Sequence, residues 1–81
     1  MQSLSHQFLT FCRSKPADEA YNFYALSYNS KGCAVTQFTA TLGHKAGSDL
    51  WCNLHDRVED LVVNRPWTFG ALADRLEAAL A

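Results

Sequence analysis

The chain has 81 residues, of which 48% are hydrophobic, 19% charged and 12% aromatic, and its formal net charge is −1. This composition is too apolar for a disordered tail and too poor in Gly and Pro for a fibrous protein. It also lacks the excess of basic residues that is typical of a nucleic-acid-binding domain.

The length predicts a single domain, residues 1–81. Its first predicted helix runs from Leu4 to Arg13. Ser3 precedes it as a candidate N-cap, and Pro16 ends it. Its apolar residues recur at the spacing of one helical face. These residues are Leu4, Phe8, Phe11 and Cys12.

Residues 16–31 carry mixed signals. Pro16 followed by Asp18 and Glu19 is typical of the first turn of a helix, where a proline fits and acidic side chains oppose the helix dipole favourably. Asn22 and Asn29 are turn formers. We therefore expect a short helical turn that leads into a loop.

The segment from Cys33 to Gly43 fits two structures. Its alternating apolar residues and its β-branched content are typical of a strand, and a minor β-strand pair would make the fold α+β. Apolar residues recur in it at helical spacing as well, namely Ala34, Phe38 and Leu42. In the helical alternative Ser30 is the cap and Gly43 follows the last turn. The periodicity of so short a run does not decide between them.

A longer amphipathic helix is predicted to begin after the loop at residues 44–48, with Ser48 or Asp49 as its cap and Val62 near its end. The alternative is a start near His55, after a short extended piece. Three acidic residues share the far face of this helix: Asp56, Glu59 and Asp60.

The last predicted helix runs from Phe69 to about Leu80, with Thr68 as its N-cap. Trp67 and Leu72 are placed to form a hydrophobic staple across this cap. The predicted buried stripe consists of Phe69, Leu72, Ala73, Leu76 and Leu80. The fold class predicted by these elements is mainly α, a small single-core domain of three to four short helices.

Cys33 is the candidate nucleophile of a thiol-dependent enzyme, because the first turn of a helix favours a thiolate. His44 or His55 would be its base. No known cysteine-protease signature surrounds Cys33, however. We favour a small apolar core residue and expect no enzyme and no catalytic residue.

A metal site is the second chemical possibility. Cys52 and His55 lie on adjacent turns of one predicted helix, and Cys33 and His44 would complete a tetrahedral set. No paired C-x2-C motif supports it, so we expect no metal and no cofactor. The number of cysteines, three, is odd, and no secretory signal follows Met1. We therefore expect reduced thiols in a cytoplasmic protein without a membrane span.

A small DNA-binding regulator is a further alternative. The run from Thr68 to Ala73 superficially resembles the first helix of a helix-turn-helix, with small residues for close packing. The same helix carries Asp74 and Glu77, and a chain of net charge −1 releases few counterions from DNA. Binding to nucleic acid is accordingly disfavoured.

The aromatic residues exceed the needs of a small core, and Tyr and Trp are the residues that interfaces prefer. A protein-binding surface or a homodimer seam is therefore expected. The candidate partner-binding residues are Phe8, Tyr24, Tyr28, Trp51 and the acidic residues Asp56, Glu59 and Asp60. The acidic residues fit a solvated helix face or a weak patch for a basic partner.

Three motifs carry a family resemblance. They are Pro16-x4-Tyr21-x-Phe23, Cys33-Ala34-x-x-Gln37-Phe38 and Pro66-Trp67-Thr68-Phe69-Gly70-Ala71-Leu72-x-x-Arg75-Leu76. In this order they resemble a family of short uncharacterised proteins encoded by bacteriophages and prophages. The resemblance implies a bacterial intracellular setting, a helix that begins at the Cys33 motif, and no known reaction.

The function that this resemblance suggests is that of a phage accessory protein that binds a host or phage protein. Inhibition of a host defence system, as by an anti-CRISPR protein, is one form that such binding takes. The inference rests on an analogy of origin and carries no site residue with it.

Overall fold

Four helices make up most of the part of the chain that the computed structural model describes, residues 3–22 and 33–81. They are α1 (Leu4–Arg13), α2 (Ala34–Thr41), α3 (Asp49–Val62) and α4 (Phe69–Leu80). The predicted mainly α fold is thus confirmed. Extended pairing within these described ranges is limited to two isolated bridges, Ala20 with Thr68 and Asn22 with Cys33, so they contain no β-strand pair.

Hydroxyl side chains cap three of the helices. Ser3 accepts a hydrogen bond from the backbone N–H of His6, Ser48 from that of Trp51, and Thr68 from that of Ala71. Each cap satisfies a donor that has no partner inside its helix. Ser3 and Thr68 were predicted as caps, and Ser48 was one of two alternatives for α3, of which Asp49 is instead the first residue of the helix. The alternative start of α3 near His55 is wrong.

The ambiguous segment after residue 32 is a helix. α2 begins after Cys33, which is its N-cap and makes no side-chain cap hydrogen bond. The expected cap Ser30 is therefore wrong, and Ser30 itself lies outside the described residues. Near Pro16 the Glu19 N–H donates to the Pro16 carbonyl at 3.0 Å, which forms a single β-turn in place of the expected helical turn. The loop expected after it falls largely on residues 23–32, outside the described part.

A glycine follows the last turn of α2, as predicted for the helical alternative. Gly43 has a φ of 79°, a left-handed conformation that other residues adopt at a cost. Its N–H donates to the Ala40 carbonyl, and the next N–H, of His44, donates to the Thr39 carbonyl, both at 3.0 Å. This pair of bonds is a Schellman motif, and it satisfies two carbonyls at the end of the helix.

Aromatic rings fill the space between α1 and its neighbours. The Phe38 ring of α2 lies 5.4 Å from the rings of both Phe8 and Phe11, measured between centroids. Phe69 of α4 lies 6.1 Å from Phe11 and 5.5 Å from Tyr21. The largest fully buried side chains include Phe8, Phe69, Leu54, Leu72 and Leu76. Complete burial of one such side chain contributes about 1.5–3 kcal/mol to folding.

The start of α4 is fastened to the segment that follows α1. The N–H of Phe69 donates to the Glu19 carbonyl and the N–H of Gly70 to the Ala17 carbonyl, both at 3.0 Å. With the Thr68 cap on Ala71, these bonds occupy the first three donors of α4. The N-terminus of α4 is therefore closed by the chain itself.

Hydrogen bonds from Arg75 hold the connection between α3 and α4 against α4. Its guanidinium donates to the carbonyls of Leu61 at 2.9 Å and Pro66 at 3.4 Å and to the Tyr21 hydroxyl at 3.2 Å. The buried Tyr21 hydroxyl in turn donates to the Val62 carbonyl at 2.8 Å. The only basic side chain of α4 is thus turned toward the protein.

Candidate binding groove between α1 and α2

Cys33, the candidate nucleophile, is 5% exposed and belongs to the core cluster. The first candidate base, His44, is exposed in the loop after α2. The second, His55, stacks on the Trp51 ring at 4.6 Å with an interplanar angle of 13°. A buried thiol offers a substrate little access, so this arrangement favours the core interpretation of Cys33.

Burial also affects the thiol of Cys12, on the inner face of α1. Cys12 is 1% exposed, and burial raises its pKa from 9.0 to about 12, although the neighbouring Arg13 charge opposes part of the rise. Removal of a thiolate from water costs free energy, so the neutral thiol is favoured. Cys12 is therefore a structural residue in its neutral form.

The four suggested zinc ligands do not form a metal site. Within residues 3–22 and 33–81, no three His, Cys, Asp or Glu side chains are grouped closely enough to hold a metal ion. Cys52 is only partly buried, and its thiol donates instead to the Gly47 carbonyl at 3.5 Å. The Cys52 thiol is therefore a hydrogen-bond donor at the start of α3 rather than a metal ligand.

The surface of α4 is unlike that of a recognition helix. Asp74 and Glu77 lie on its exposed side, where both pair with Arg13 of α1 at 3.0 and 2.7 Å. These contacts raise the pKa of Arg13, chiefly through its hydrogen bond to Glu77. Since Arg75 is also held by backbone carbonyls, α4 has no basic stripe for a phosphate backbone.

The structure places the candidate partner-binding residues in different environments. Phe8 is fully buried and Trp51 is 5% exposed, so neither offers a partner much surface. Tyr24 and Tyr28 lie outside the described residues. The three acidic residues of α3 are exposed on one side of the helix, as predicted: Asp56, Glu59 and Asp60.

A different surface has the shape of a binding site. An open groove of about 470 Å³ runs between the C-terminal end of α1 and the outer side of α2. On the α1 side it is lined by Phe11, whose ring forms the floor, and by Lys15, and on the other side by a wall of α2 residues. The α2 residues are Thr36, Gln37, Ala40 and Thr41.

The groove combines the apolar ring of Phe11 with a cation, the Lys15 ammonium. The Phe11 ring packs against Phe38 and Phe69 and leaves part of its surface on the groove. The Lys15 ammonium lies 5.2 Å from the centroid of the Phe11 ring and 5.9 Å from that of Phe69. Contacts of this kind attract a cation to the face of a ring.

Hydroxyl groups line the α2 wall. Thr36 accepts a hydrogen bond from the Trp51 indole N–H at 3.0 Å, and Thr41 donates to the Phe38 carbonyl at 2.6 Å. Both hydroxyls therefore have fixed orientations. The lining therefore offers hydroxyl, amide and ammonium groups beside an apolar ring, a combination found in binding pockets.

Sequence reasoning assigned Phe11 to the core and did not single out Lys15. The available signal was their position, because Phe11 lies in the last turn of α1 and Lys15 follows the end of that helix by two residues. Ala40 and Thr41 gave no comparable signal. Their role depends on how close α2 approaches α1, which no local pattern encodes.

None of the described helices is both long enough and apolar enough to cross a bilayer. Comparisons of the chain with family models, with curated proteins and with solved structures found no match.

Proposed function

We propose that this chain is a non-enzymatic binding protein that holds a short apolar segment of another protein in the groove between α1 and α2. The observation that carries the proposal is the open, apolar-floored groove of about 470 Å³. Binding pockets have volumes of about 300–1,000 Å³, with mostly apolar walls and a few oriented polar groups. The groove matches that description in size, and most of its lining surface is apolar, although four of its six lining residues carry polar groups.

An elongated occupant suits the walls of the groove. Two helices flank it, and grooves of this kind receive an amphipathic helix or another short segment through a few apolar anchor residues. The α2 wall presents the small side chains of Ala40 and Thr41, which keep the floor accessible. The ring of Phe11 is the surface on which an apolar anchor would rest.

The resemblance to phage and prophage proteins supports a setting for this binding. In that setting the chain is an accessory protein in a bacterial host cell, and its partner is a host or phage protein. Inhibition of a host defence system, as by an anti-CRISPR protein, follows if the partner belongs to such a system. A second copy of this chain is the competing occupant.

A displayed library of random short peptides tests the proposal on the full chain. We expect peptides with apolar anchors to be enriched, and amide chemical shifts in NMR spectra to change at Phe11, Thr36 and Thr41 when they bind. A second copy in the groove predicts instead the same shifts on concentration of the protein alone, with dimers in sedimentation. That result would overturn the choice of occupant.

A matched pair of variants locates the site. Ala40→Gln places a larger neutral side chain on the groove, whereas Ala78→Gln makes the same change on the exposed side of α4. We expect Ala40→Gln to weaken peptide binding by about tenfold, equivalent to about 1.4 kcal/mol, and Ala78→Gln to leave it unchanged. Equal affinity of both variants, shifts confined to the acidic side of α3, or no enriched peptide would refute the proposal.

A further inference from the structure

Lys15 lines the groove from its position directly after α1. Its backbone N–H donates to the Cys12 carbonyl at 3.2 Å, directly after α1. Its side chain is partly buried, and its ammonium lies against two phenyl rings, those of Phe11 and Phe69. A lysine held in this way has already lost part of its rotamer freedom, so a ligand that binds it loses less entropy.

The charge of Lys15 has no internal counterpart in the described residues. The ion pairs found among them both belong to Arg13, which binds Asp74 and Glu77. Asp18 and Glu19 follow Lys15 closely in the chain, yet neither lies within ion-pair distance of its ammonium. The lining of the groove therefore includes a cation that an incoming carboxylate can neutralise.

We propose that Lys15 makes the groove selective for partner segments that carry a carboxylate beside an apolar anchor residue. This inference rests on the proposed function and adds the chemistry of the partner to it. An apolar anchor on the Phe11 ring would bring a neighbouring Asp or Glu side chain to the Lys15 ammonium. The same positive charge would repel a segment with a basic residue at that place, so Lys15 also discriminates against the wrong partner.

The experiment uses the peptides selected on the wild-type chain. Each acidic peptide is compared with an analogue in which Gln replaces Glu, and both are titrated into wild type, Lys15→Gln and Lys45→Gln. Lys45 is an exposed lysine in the loop after α2 and is not a groove residue, so it is the matched control. Far-UV circular dichroism of each variant checks that the fold is retained.

We expect the selected peptides to be enriched in Asp and Glu. Lys15→Gln should weaken binding of the acidic peptide by about tenfold and should leave the affinity for the Gln analogue unchanged. It should also reduce the salt dependence of the dissociation constant of the acidic peptide. Lys45→Gln should leave the affinity for both peptides unchanged. In a charge exchange, Lys15→Glu should bind a peptide with Lys in place of Glu better than it binds the original peptide.

The results separate this inference from the proposed function. Peptides that lose affinity with Ala40→Gln but bind Lys15→Gln as tightly as wild type would overturn the role of Lys15 and leave the groove in place. Peptides that are insensitive to Ala40→Gln would overturn the groove itself. Enrichment of basic instead of acidic peptides would also contradict the inference.

Discussion

A methyl group added at Gly70 would collide with the segment that follows α1. A Cβ atom at this position would lie 2.7 Å from the Ala17 carbonyl oxygen and 2.8 Å from the Ala17 Cβ. The oxygen belongs to the backbone, so a side-chain rotation cannot relieve the contact. Gly70→Ala should therefore push the Ala17 segment away from the start of α4.

The expected cost follows from three opposing contributions. Alanine is better than glycine inside a helix by about 1 kcal/mol, which favours the variant. Overpacking costs about 1–3 kcal/mol. Displacement of the segment also weakens the hydrogen bonds from Phe69 to Glu19 and from Gly70 to Ala17, each worth about 0.5–1.5 kcal/mol. With overpacking near the middle of its range, about half of the hydrogen-bond contribution because the bonds are weakened and not lost, and the gain from alanine subtracted, we expect a net loss of about 1–3 kcal/mol in the free energy of unfolding.

Urea denaturation followed by far-UV circular dichroism measures this loss. With an m-value of about 1 kcal/mol/M for a small domain, the midpoint should fall by about 1–3 M. The double variant Ala17→Gly/Gly70→Ala removes the contact between the two Cβ atoms but keeps the contact with the carbonyl, so it should recover only part of the loss. A Gly70→Ala variant as stable as wild type, or more stable, would show that the close approach of Ala17 does not constrain this position.

Three further changes test the packing of the fold by urea denaturation. Tyr21→Phe leaves the buried Val62 carbonyl without its donor and should cost about 1–3 kcal/mol; no loss would mean that the hydroxyl contributes nothing. Ser48→Ala removes the cap of α3 and should cost about 1 kcal/mol, whereas Ser48→Asp should retain most of the stability; equal effects of the two would contradict the capping role. Burial raises the pKa of Cys12 from 9.0 to about 12, so the unfolded chain loses this proton first, and stability present below pH 9.0 should fall as the pH rises toward about 12. The free energy of unfolding should fall by up to about 1.4 kcal/mol per pH unit in wild type and less steeply in Cys12→Ala. Equal slopes in the two proteins would show that Cys12 is not the group responsible.

The helices that could be predicted from the sequence are those whose ends carry local signals. Ser3, Ser48 and Thr68 each stand before an apolar periodic run, and each caps the helix that follows. A cap acts on a donor two or three residues away, so the sequence contains both partners of the interaction. Gly43 could be predicted for the same reason, because a left-handed residue after a helix favours glycine.

α2 could not be assigned by these rules. Its N-cap, Cys33, makes no side-chain cap hydrogen bond, and eight residues are too few for periodicity to separate a helix from a strand. Packing stabilises α2, because the Phe38 ring contacts the rings of Phe8 and Phe11 on α1. Tertiary contacts of this kind commonly outweigh intrinsic propensity in short helices.

The groove and the contact between Gly70 and Ala17 share a reason for having been missed. Each depends on the distance between elements that lie far apart in the sequence, and no pattern within one element states that distance. The motif that contains Gly70 gave an indirect signal, because a glycine in the first turn of a helix favours close approach of another backbone. The sequence did not indicate which segment approaches.

The position of Phe11 explains why the groove should be tested at its rim rather than at its floor. This ring packs against Phe38 and Phe69 and also faces the groove, so Phe11→Ala would remove core contacts and binding surface together. Ala40 is exposed on the opposite wall, and Lys15 follows the end of α1, so changes at either leave the contacts among the aromatic rings intact. Ala40→Gln should leave the free energy of unfolding unchanged, whereas Lys15→Gln removes the cation–π contacts with Phe11 and Phe69 and should cost about 0.5–1 kcal/mol. A loss of affinity that exceeds the loss of stability therefore reports on the groove and not on the core.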